Sequence, residues 1–379
     1  MTETGGTRAK EGMGKGSIER LGSVDALRGF DMFWILGADG LFQALTRLGD
    51  SPILKTVRSQ LEHKEWEGFA FYDLIFPLFI FLAGMSVVFS LSRIVDEQGR
   101  LAAYKRIFRR TLIIYFLGVF FYDGLAKPWP EVRLLGVLQR IAICYFFTGI
   151  LFCHLRWRGL LAACIAILLG YWALMALVPV PGVGAGCFDP ERNLANYIDA
   201  KYLPGWKWEN KTWDPEGLIS TLPAVGTCLI GALMGLFMRN ASVSPSRKVK
   251  YLILGGAAMV VLGFAWGTQF PVIKKIWTSS YVLVAGGYSC ICLGTFYLVI
   301  DILKIRRWAQ PFVWIGMNPL TLYMASDVID FEKMARRIAG GSVQELLGPY
   351  GELVLYVIGL GLIFCLARFL YTRKIFLRA

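Results

Sequence analysis

The stretch HKEWEGFAFYDLIFPLFIFLAGMS occupies residues 63–86 and determines the class of fold. After Gly68 it is almost entirely apolar, as a helix that crosses a lipid bilayer must be. Asp73 stands at the start of this apolar run, and His63 shortly precedes it. An ionisable side chain in a membrane helix usually lines a cavity or pairs with another group, and histidine exchanges protons near neutral pH. The stretch therefore predicts a membrane helix with proton chemistry at one end.

The composition of the whole chain supports the same class. Of its 379 residues 56% are hydrophobic, and the mean hydropathy is +0.52. The net charge of +13 comes from Lys and Arg residues dispersed between apolar runs rather than gathered on one domain. This dispersal disfavours a nucleic-acid partner and is typical of loops that orient a membrane protein. We therefore expect an all-α, polytopic helix bundle in a lipid bilayer.

Hydropathy predicts about ten membrane spans within a single domain that covers residues 21–379. Residues 1–20 are polar and Gly-rich and are predicted to form a disordered cytoplasmic tail. The predicted spans lie near residues 24–46, 69–92, 106–122, 133–153, 159–178, 217–238, 249–268, 278–302, 309–327 and 349–371.

The distribution of basic residues predicts the orientation of the bundle. Lys and Arg are frequent in alternate connections, near residues 93–110, 154–158, 247–250 and 304–307, and at both chain ends. Basic loops face the cytoplasm, so we expect both termini on the cytoplasmic side. His154 falls in such a loop and is interpreted as an interfacial charge. The longest of the other loops, about 179–216, is then exterior, as is the loop that contains His63.

Polar residues from several predicted segments gather in the exterior half of this topology. The candidate catalytic residues are His63, Asp39 and Asp73. The candidate substrate-binding residues are Gln139, Arg140, Asp214, Glu216, Trp277, Ser279 and Asn318.

Some of these polar residues have structural interpretations that the sequence leaves open. A continuous first span would place Asp25, Arg28, Asp31 and Asp39 on one stripe of a helix. An ion pair between Asp25 and Arg28 would fix helix packing, and Asp39 would contact substrate. Asp214-Pro215 is typical of a helix start. The tryptophans at 206, 208 and 213 form either a membrane-interface belt or a platform that stacks on a sugar ring.

Motifs for several enzyme classes are missing from the sequence. It contains no Walker loop, GxSxG elbow or HExxH helix, which disfavours nucleotide hydrolysis, serine hydrolysis and zinc proteolysis. The eight cysteines include no CxxC pair, and seven lie in or beside apolar runs. We therefore expect neither disulfides nor a bound metal.

The chain resembles the heparan-alpha-glucosaminide N-acetyltransferase family at several blocks that occur in order over about residues 20–371. These blocks are Ser23–Gly29, His63–Gly84, Gly136–Arg140, Asn196–Asp199, Asp214–Gly217 with Ser220–Pro223, Trp277–Ser280 and Gly316–Asn318. The family resemblance implies an enzyme that moves acetyl from cytosolic acetyl-CoA to the amine of a glucosamine across the membrane. It also implies that His63 is the active-site histidine. An asparagine of the lysosomal member aligns with Asp39, which departs from the family pattern.

The short chain is similar to the bacterial branch of this family, so we expect a multi-pass protein of the bacterial inner membrane. Its expected partners are acetyl-CoA, as co-substrate, and an amino sugar or glycosaminoglycan-derived acceptor. A homodimer is possible.

Two chemical routes are compatible with His63. It removes a proton from the attacking amine as a general base, or it attacks first and forms an acetyl-imidazole. In the first route Asp39 or Asp73 would orient or charge the imidazole. Donors for the oxyanion are Asn318, Gln139 or Arg140, and cations for the CoA phosphates are Arg28, Arg140 or Lys274. The rival functions are an amino-sugar transporter and an O-acyltransferase that acts on a lipid or polysaccharide.

Overall fold

The structure is a computed structural model that describes residues 21–49, 51–124 and 126–376. These residues form helices and loops without a β-strand, apart from two isolated β-bridges. This confirms the predicted all-α class. The predicted cytoplasmic tail, residues 1–20, lies outside the described residues.

Fifteen α-helices follow one another along the described chain. They are α1 (Gly22–Phe33), α2 (Asp39–Thr46), α3 (Pro52–Leu61), α4 (Ile75–Phe121), α5 (Val137–His154), α6 (Trp157–Leu177), α7 (Leu194–Tyr202), α8 (Thr221–Arg239), α9 (Pro245–Gly267), α10 (Ser279–Phe296), α11 (Gln310–Gly316), α12 (Pro319–Val328), α13 (Phe331–Ala339), α14 (Ser342–Leu347) and α15 (Gly351–Thr372). Two π-helical segments, Trp34–Ala38 and Tyr297–Ile302, join α1 to α2 and extend α10.

Seven helical segments of the described chain are long and apolar enough to cross a membrane. They are Phe71–Phe121, Val137–His154, Trp157–Leu177, Thr221–Arg239, Pro245–Gly267, Ser279–Ile302 and Ser342–Thr372. The first has 51 residues, which is far more than a bilayer requires. This segment covers nearly all of two predicted spans, 69–92 and 106–122. The two are separated at Gly99, where the backbone leaves the helical conformation with a φ of 80° and a ψ of 176°. The membrane-protein class is confirmed, whereas the count of ten and the orientation stay predictions.

Two predicted spans are not continuous helices. The predicted helix 24–46 is interrupted at Gly37, whose φ of 113° is unfavourable for any residue with a Cβ. Asp39 therefore does not continue the predicted stripe, because it lies beyond this interruption, whereas Asp25, Arg28 and Asp31 all lie on α1. The predicted span 309–327 divides into α11 and α12 at Asn318, directly before Pro319.

The centre of the bundle is formed by α4, α5, α8 and α10. The most apolar window of α8 is 72% buried, whereas those of α6 and α9 are 28% and 22% buried and face outward. Helices α4 and α8 approach very closely at Gly84, where an added Cβ would lie 1.9 Å from the Cys228 carbonyl oxygen. Close backbone contact through small residues is a common way to pack membrane helices.

Three loops meet at the end of the bundle where α4 begins. Glu67 forms an antiparallel bridge with Ile273, and the Gly68 N–H donates to the Val272 carbonyl at 2.9 Å. The Trp66 indole donates to the Phe188 carbonyl, also at 2.9 Å. These bonds hold the loop that contains His63 against the α9–α10 connection and the long 179–216 loop.

Candidate active site

Asp73 and His63 form a hydrogen-bonded pair at the start of the longest helical segment. Asp73 Oδ1 lies 2.8 Å from His63 Nδ1. Its other oxygen, Oδ2, accepts from the backbone N–H groups of Lys64 and Ala70 at 3.3 and 3.1 Å. The Asp73 side chain is 1% exposed, whereas that of His63 is 49% exposed. A buried carboxylate therefore holds the Nδ1 edge of an imidazole that remains open to an incoming molecule.

The contacts of Asp73 determine which nitrogen of His63 is basic. An ionised carboxylate only accepts hydrogen bonds, so Nδ1 carries the proton that it donates to Asp73. In a neutral imidazole the lone pair is then on Nε2. His63 thus has the tautomer that a general base or a nucleophile requires, with Nε2 as the reactive atom.

Lys274 adds a cation beside this pair. Its Nζ lies 3.4 Å from Asp73 Oδ1 and 3.1 and 3.4 Å from the two ring nitrogens of His63. Burial lowers the pKa of the Lys274 ammonium, and the Asp73 carboxylate opposes this effect. The predicted CoA ligand Lys274 is therefore placed at the imidazole itself.

Asp39 reaches the site indirectly. Its carboxylate lies close enough to the Tyr72 hydroxyl to interact with it electrostatically, and the Tyr72 ring lies against that of His63. Of the three predicted catalytic residues, His63 and Asp73 are thus in direct contact, and Asp39 is connected to them by Tyr72.

Arg133, Asp214 and Glu216 form a buried ionic cluster in the loops that precede α5 and α8. The Arg133 guanidinium donates to both oxygens of Asp214 at 3.0 and 2.7 Å and to Glu216 Oε2 at 2.7 Å. Although burial acts to lower it, the pKa of Arg133 is raised by its two carboxylate partners. Burial and the neighbouring Asp214 raise the pKa of Glu216. This cluster lies close to the Asp73–His63 pair. The Glu216 carboxylate is near enough to Lys274 to favour the charged form of the ammonium and so to raise its pKa.

The helix start predicted at Asp214-Pro215 is wrong. Helix α8 begins at Thr221, because Asp214 accepts hydrogen bonds from Arg133 and from the Trp208 and Glu216 backbone. The predicted belt or platform of tryptophans is divided as well. Trp213 is only 3% exposed, whereas Trp206 and Trp208 lie against the Arg133 guanidinium, with the Trp208 ring 4.9 Å from its carbon.

Arg140 is the second buried guanidinium near the site. It is 0% exposed and lies over the Trp277 ring at 4.9 Å. Its Nη2 donates to the Pro215 carbonyl and the Ser220 hydroxyl, whereas Nε and Nη1 have no hydrogen-bond partner. Trp277 packs against Tyr281, whose hydroxyl donates to the Asp73 carbonyl at 2.7 Å. Two nitrogen atoms of Arg140, Nε and Nη1, therefore have N–H groups available for a further hydrogen bond. Trp277 and Tyr281 connect Arg140 to the backbone of Asp73.

The other predicted binding residues have different surroundings. Gln139 donates to the Arg133 carbonyl at 3.3 Å, and its Oε1 has no partner. The Ser279 hydroxyl donates to the Leu168 carbonyl at 2.7 Å, a contact within the helix packing. The Asn318 amide donates to the Ile375 carbonyl at 2.9 Å, beyond the end of α15. The structure therefore does not bring Ser279 and Asn318 to the His63 pair.

Arg28 lines a cavity of about 580 Å³ toward the opposite end of the bundle. Its guanidinium contacts Asp25 Oδ1 at 3.3 Å and the Ser86 hydroxyl at 3.1 Å. Arg106 and Arg110, which lie on α4 after its interruption at Gly99, line the same cavity. The Arg110 Nε and the hydroxyl of its neighbour Tyr145 have no hydrogen-bond partner. This cationic cavity is suited to an anionic ligand.

Sequence reasoning missed Arg133 and Tyr72. Arg133 stood at the predicted start of a span, and its partners are far away in the chain, so no local pattern marks it. Tyr72 directly precedes Asp73 in an apolar run, where an aromatic residue is common. An arginine at the very start of a predicted span was the one available signal, because a charge at the end of a membrane helix requires partners.

The geometry supports acid–base or nucleophilic chemistry at one imidazole. His63 Nε2 is available as the base, Asp73 orients the ring, and Arg140 has free donors for a developing negative charge. Within the described parts of the chain, no group of three or more His, Cys, Asp or Glu side chains is placed to hold a metal ion.

Comparison with known proteins identifies the family. Residues 20–265 match the model for heparan-alpha-glucosaminide N-acetyltransferase, catalytic. The chain is 24% identical over 325 residues to a mouse heparan-alpha-glucosaminide N-acetyltransferase and 25% identical over 324 residues to the human protein. Each alignment covers 71% of this chain and 49% of the relative, so the chain spans about half the length of both. Because the family model matches well over half of it, this chain belongs to the heparan-alpha-glucosaminide N-acetyltransferase family of membrane acyltransferases.

Proposed function

We propose that this protein transfers acetyl from acetyl-CoA to the amine of a glucosamine-type sugar, with the transfer occurring at His63 on the exterior side. The observation that carries the proposal is the buried Asp73 carboxylate on Nδ1 of a half-exposed imidazole. An amine must be neutral to attack a thioester, and an imidazole whose Nε2 is unprotonated is a suitable base. The names of the mouse and human relatives support an amino-sugar acceptor.

The cavity lined by Arg28, Arg106 and Arg110 is the proposed site of the CoA phosphates. Arginine is a common ligand of phosphate because its planar group donates two parallel hydrogen bonds. Ser86 at this cavity and Asp73 at the imidazole lie on the same helical segment, separated by about 20 Å at a rise of 1.5 Å per residue. A ligand anchored at the arginines therefore has to extend through the bundle to bring its thioester to His63, as the long pantetheine arm of CoA would.

The transfer balances without a further reactant. The amine nitrogen bonds to the acetyl carbon, the carbon–sulfur bond breaks, and CoA leaves as its thiolate. The amine proton moves to His63 Nε2, and the imidazolium then gives it to the thiolate or to solvent. Of the three predicted oxyanion donors, Arg140 is best suited, because its Nε and Nη1 have no other partner. Glu216 and Trp208 are the proposed contacts of the acceptor sugar near the Arg133 cluster.

The sidedness of the reaction is also part of the proposal. The arginine cavity belongs to the end of the bundle whose loops are basic, which favours the cytoplasm. His63 lies at the opposite end. Acetyl would therefore enter from the cytosol and leave on the exterior, and the resemblance to the bacterial branch supports a location in a bacterial inner membrane.

A coupled assay tests the function directly. Purified protein in detergent, given acetyl-CoA and glucosamine, should release free CoA thiol without any membrane gradient. A transporter would give no thiol release under these conditions. His63→Ala should fold but lose at least about a hundredfold in rate, the scale of a lost general base. His154→Ala is the matched control, because His154 contacts Tyr104 far from the site, and it should stay active. Normal turnover in His63→Ala would refute the proposal.

A second measurement separates the two routes through His63. We expect direct attack by the amine, because a pocket that holds both substrates in line lowers the barrier by several kcal/mol. Acetyl-CoA alone should then give no burst of thiol. A burst of about one thiol per protein, with labelled acetyl retained on the wild type and not on His63→Ala, would instead establish an acetyl-imidazole.

A further inference from the structure

Asp39 does not contact the imidazole that it was expected to orient. It is the first residue of α2, directly after the π-helical segment that ends α1. There its carboxylate lies close enough to the Tyr72 hydroxyl for the two groups to interact electrostatically. The other phenol close enough to interact with Asp39 is that of Tyr356 on α15. The position of Asp39 is thus explained by Tyr72 and the helix packing rather than by His63.

Tyr72 lies between Asp39 and the imidazole. The centroids of the Tyr72 and His63 rings are 4.7 Å apart, and the ring planes are inclined by 35°. Tyr72 lies in the short 3₁₀ helix Phe71–Leu74 that leads into α4, next to Asp73. Two consecutive residues therefore hold His63 in different ways: Asp73 bonds its Nδ1 edge, and Tyr72 packs against its ring.

His63 needs such support because its own backbone provides little. It lies in the loop between α3 and the 3₁₀ helix, and its side chain is 49% exposed. A hydrogen bond at one edge fixes one direction of an imidazole but still permits the ring to rotate about that bond. An aromatic ring packed against it restricts this rotation, and a hydrogen bond from the Tyr72 hydroxyl to the nearby Asp39 carboxylate would fix that aromatic ring in turn.

We propose that Tyr72 is a positioning residue for His63 and that Asp39 acts on the imidazole only through the Tyr72 hydroxyl. The inference rests on the proposed function of His63. It differs from the expected role of Asp39 as a direct partner of the imidazole or the substrate. An asparagine could serve in the same way, because its amide oxygen also accepts from a hydroxyl.

A double-mutant cycle on kcat tests the coupling. Asp39→Ala and Tyr72→Phe should each lower kcat about tenfold with little change in KM, because misplaced catalytic groups slow the chemical step. The double variant should also be about tenfold slower, since the two side chains act as one unit. A hundredfold loss in the double variant would show independent roles and overturn the proposal.

Two further variants define the coupling. Asp39→Asn should lose less than Asp39→Ala, because it retains an acceptor for the Tyr72 hydroxyl. Tyr356→Phe, which removes the other phenol near Asp39, should keep the wild-type kcat. A tenfold loss in Tyr356→Phe, or equal losses in Asp39→Asn and Asp39→Ala, would contradict the route through Tyr72.

A spectroscopic measurement keeps the inference testable apart from the reaction. The chain has two histidines, so His154→Gln leaves His63 as the single imidazole in ¹⁵N-histidine-labelled protein. Its spectrum should show one tautomer, protonated at Nδ1, and both signals should broaden or average in Asp39→Ala and Tyr72→Leu. Unchanged signals in both variants would refute the inference even if acetyl transfer is confirmed. If wild-type protein transfers no acetyl, the proposed function fails, and the same spectra still decide whether Tyr72 positions His63.

Discussion

Each oxygen of the Asp73 carboxylate has its own set of donors. Oδ1 faces the His63 imidazole and the Lys274 ammonium, and Oδ2 faces the backbone N–H groups of Lys64 and Ala70. All of these partners are donors, so the position suits a carboxylate and no neutral isostere. The same bonds fix the loop geometry and the tautomer of the imidazole. At this site, therefore, local folding and chemistry depend on one side chain.

Replacement of Asp73 by Asn should separate these effects. The amide has one acceptor, so it must either leave the Lys64 and Ala70 N–H groups without a partner or turn its NH₂ toward His63 and favour the wrong tautomer. We expect kcat for acetyl transfer to fall at least about a hundredfold with KM little changed, as when a carboxylate that orients a catalytic histidine is lost.

The thiol-release assay measures this effect. Asp123→Asn is the matched control because the Asp123 side chain is 76% exposed, and its rate should equal that of the wild type. A rate for Asp73→Asn within about threefold of the wild type would mean that the imidazole needs no carboxylate partner.

At the scale of elements, carboxylates of the long segment between α6 and α8 determine where α8 begins. Asp199 on α7 accepts from the Leu218 N–H at 2.8 Å, and Asp214 accepts from Arg133 and the Glu216 N–H. These bonds hold residues 214–218 in a turn, so that the helix starts at Thr221. An Asp-Pro pair usually indicates a helix start, but here long-range ionic contacts override the local preference.

Asp199 should make stability depend on pH in a predictable direction. It is 2% exposed, and burial raises the pKa of Asp199 from 3.8 to about 6. The folded protein thus binds this proton more tightly than the unfolded chain. The resulting stabilisation is complete below about pH 4 and is lost as pH rises through 6, by up to about 3 kcal/mol.

Thermal melting of wild type and Asp199→Asn in detergent between pH 4.5 and 7.5 tests this direction. The melting temperature of the wild type, relative to the variant, should decrease as pH rises, because only the wild type loses a proton there. A difference that is constant or grows with pH would contradict the assignment.

At the scale of the whole molecule, hydropathy was sufficient for the class of fold and not for its interruptions. Long apolar runs predict membrane helices because lipid requires them. The breaks at Gly37 and Asn318 depend on backbone conformations that an apolar run does not reveal. His63 and Asp73 were predictable because they are close in the chain. Arg133 was not, because its carboxylate partners belong to a loop some eighty residues later.

The orientation of the bundle is the remaining large-scale prediction, and cysteine labelling tests it. Ser59 on α3, beside the His63 loop, and Gln98, beside the interruption of α4, are both exposed. They lie at opposite ends of the first half of the long segment, the half before Gly99 that carries Asp73 and Ser86. In a background with serine at Cys187 and Cys365, Ser59→Cys should react with a membrane-impermeant thiol reagent in intact cells.

Gln98→Cys should react only after lysis, because basic loops stay in the cytoplasm. Reaction of both cysteines in intact cells, or the reverse pattern, would place the arginine cavity and His63 on the wrong sides for transfer from cytosolic acetyl-CoA to an exterior amine. The expected pattern would instead require acetyl to travel through the bundle, because the cationic cavity and the imidazole would then face different compartments.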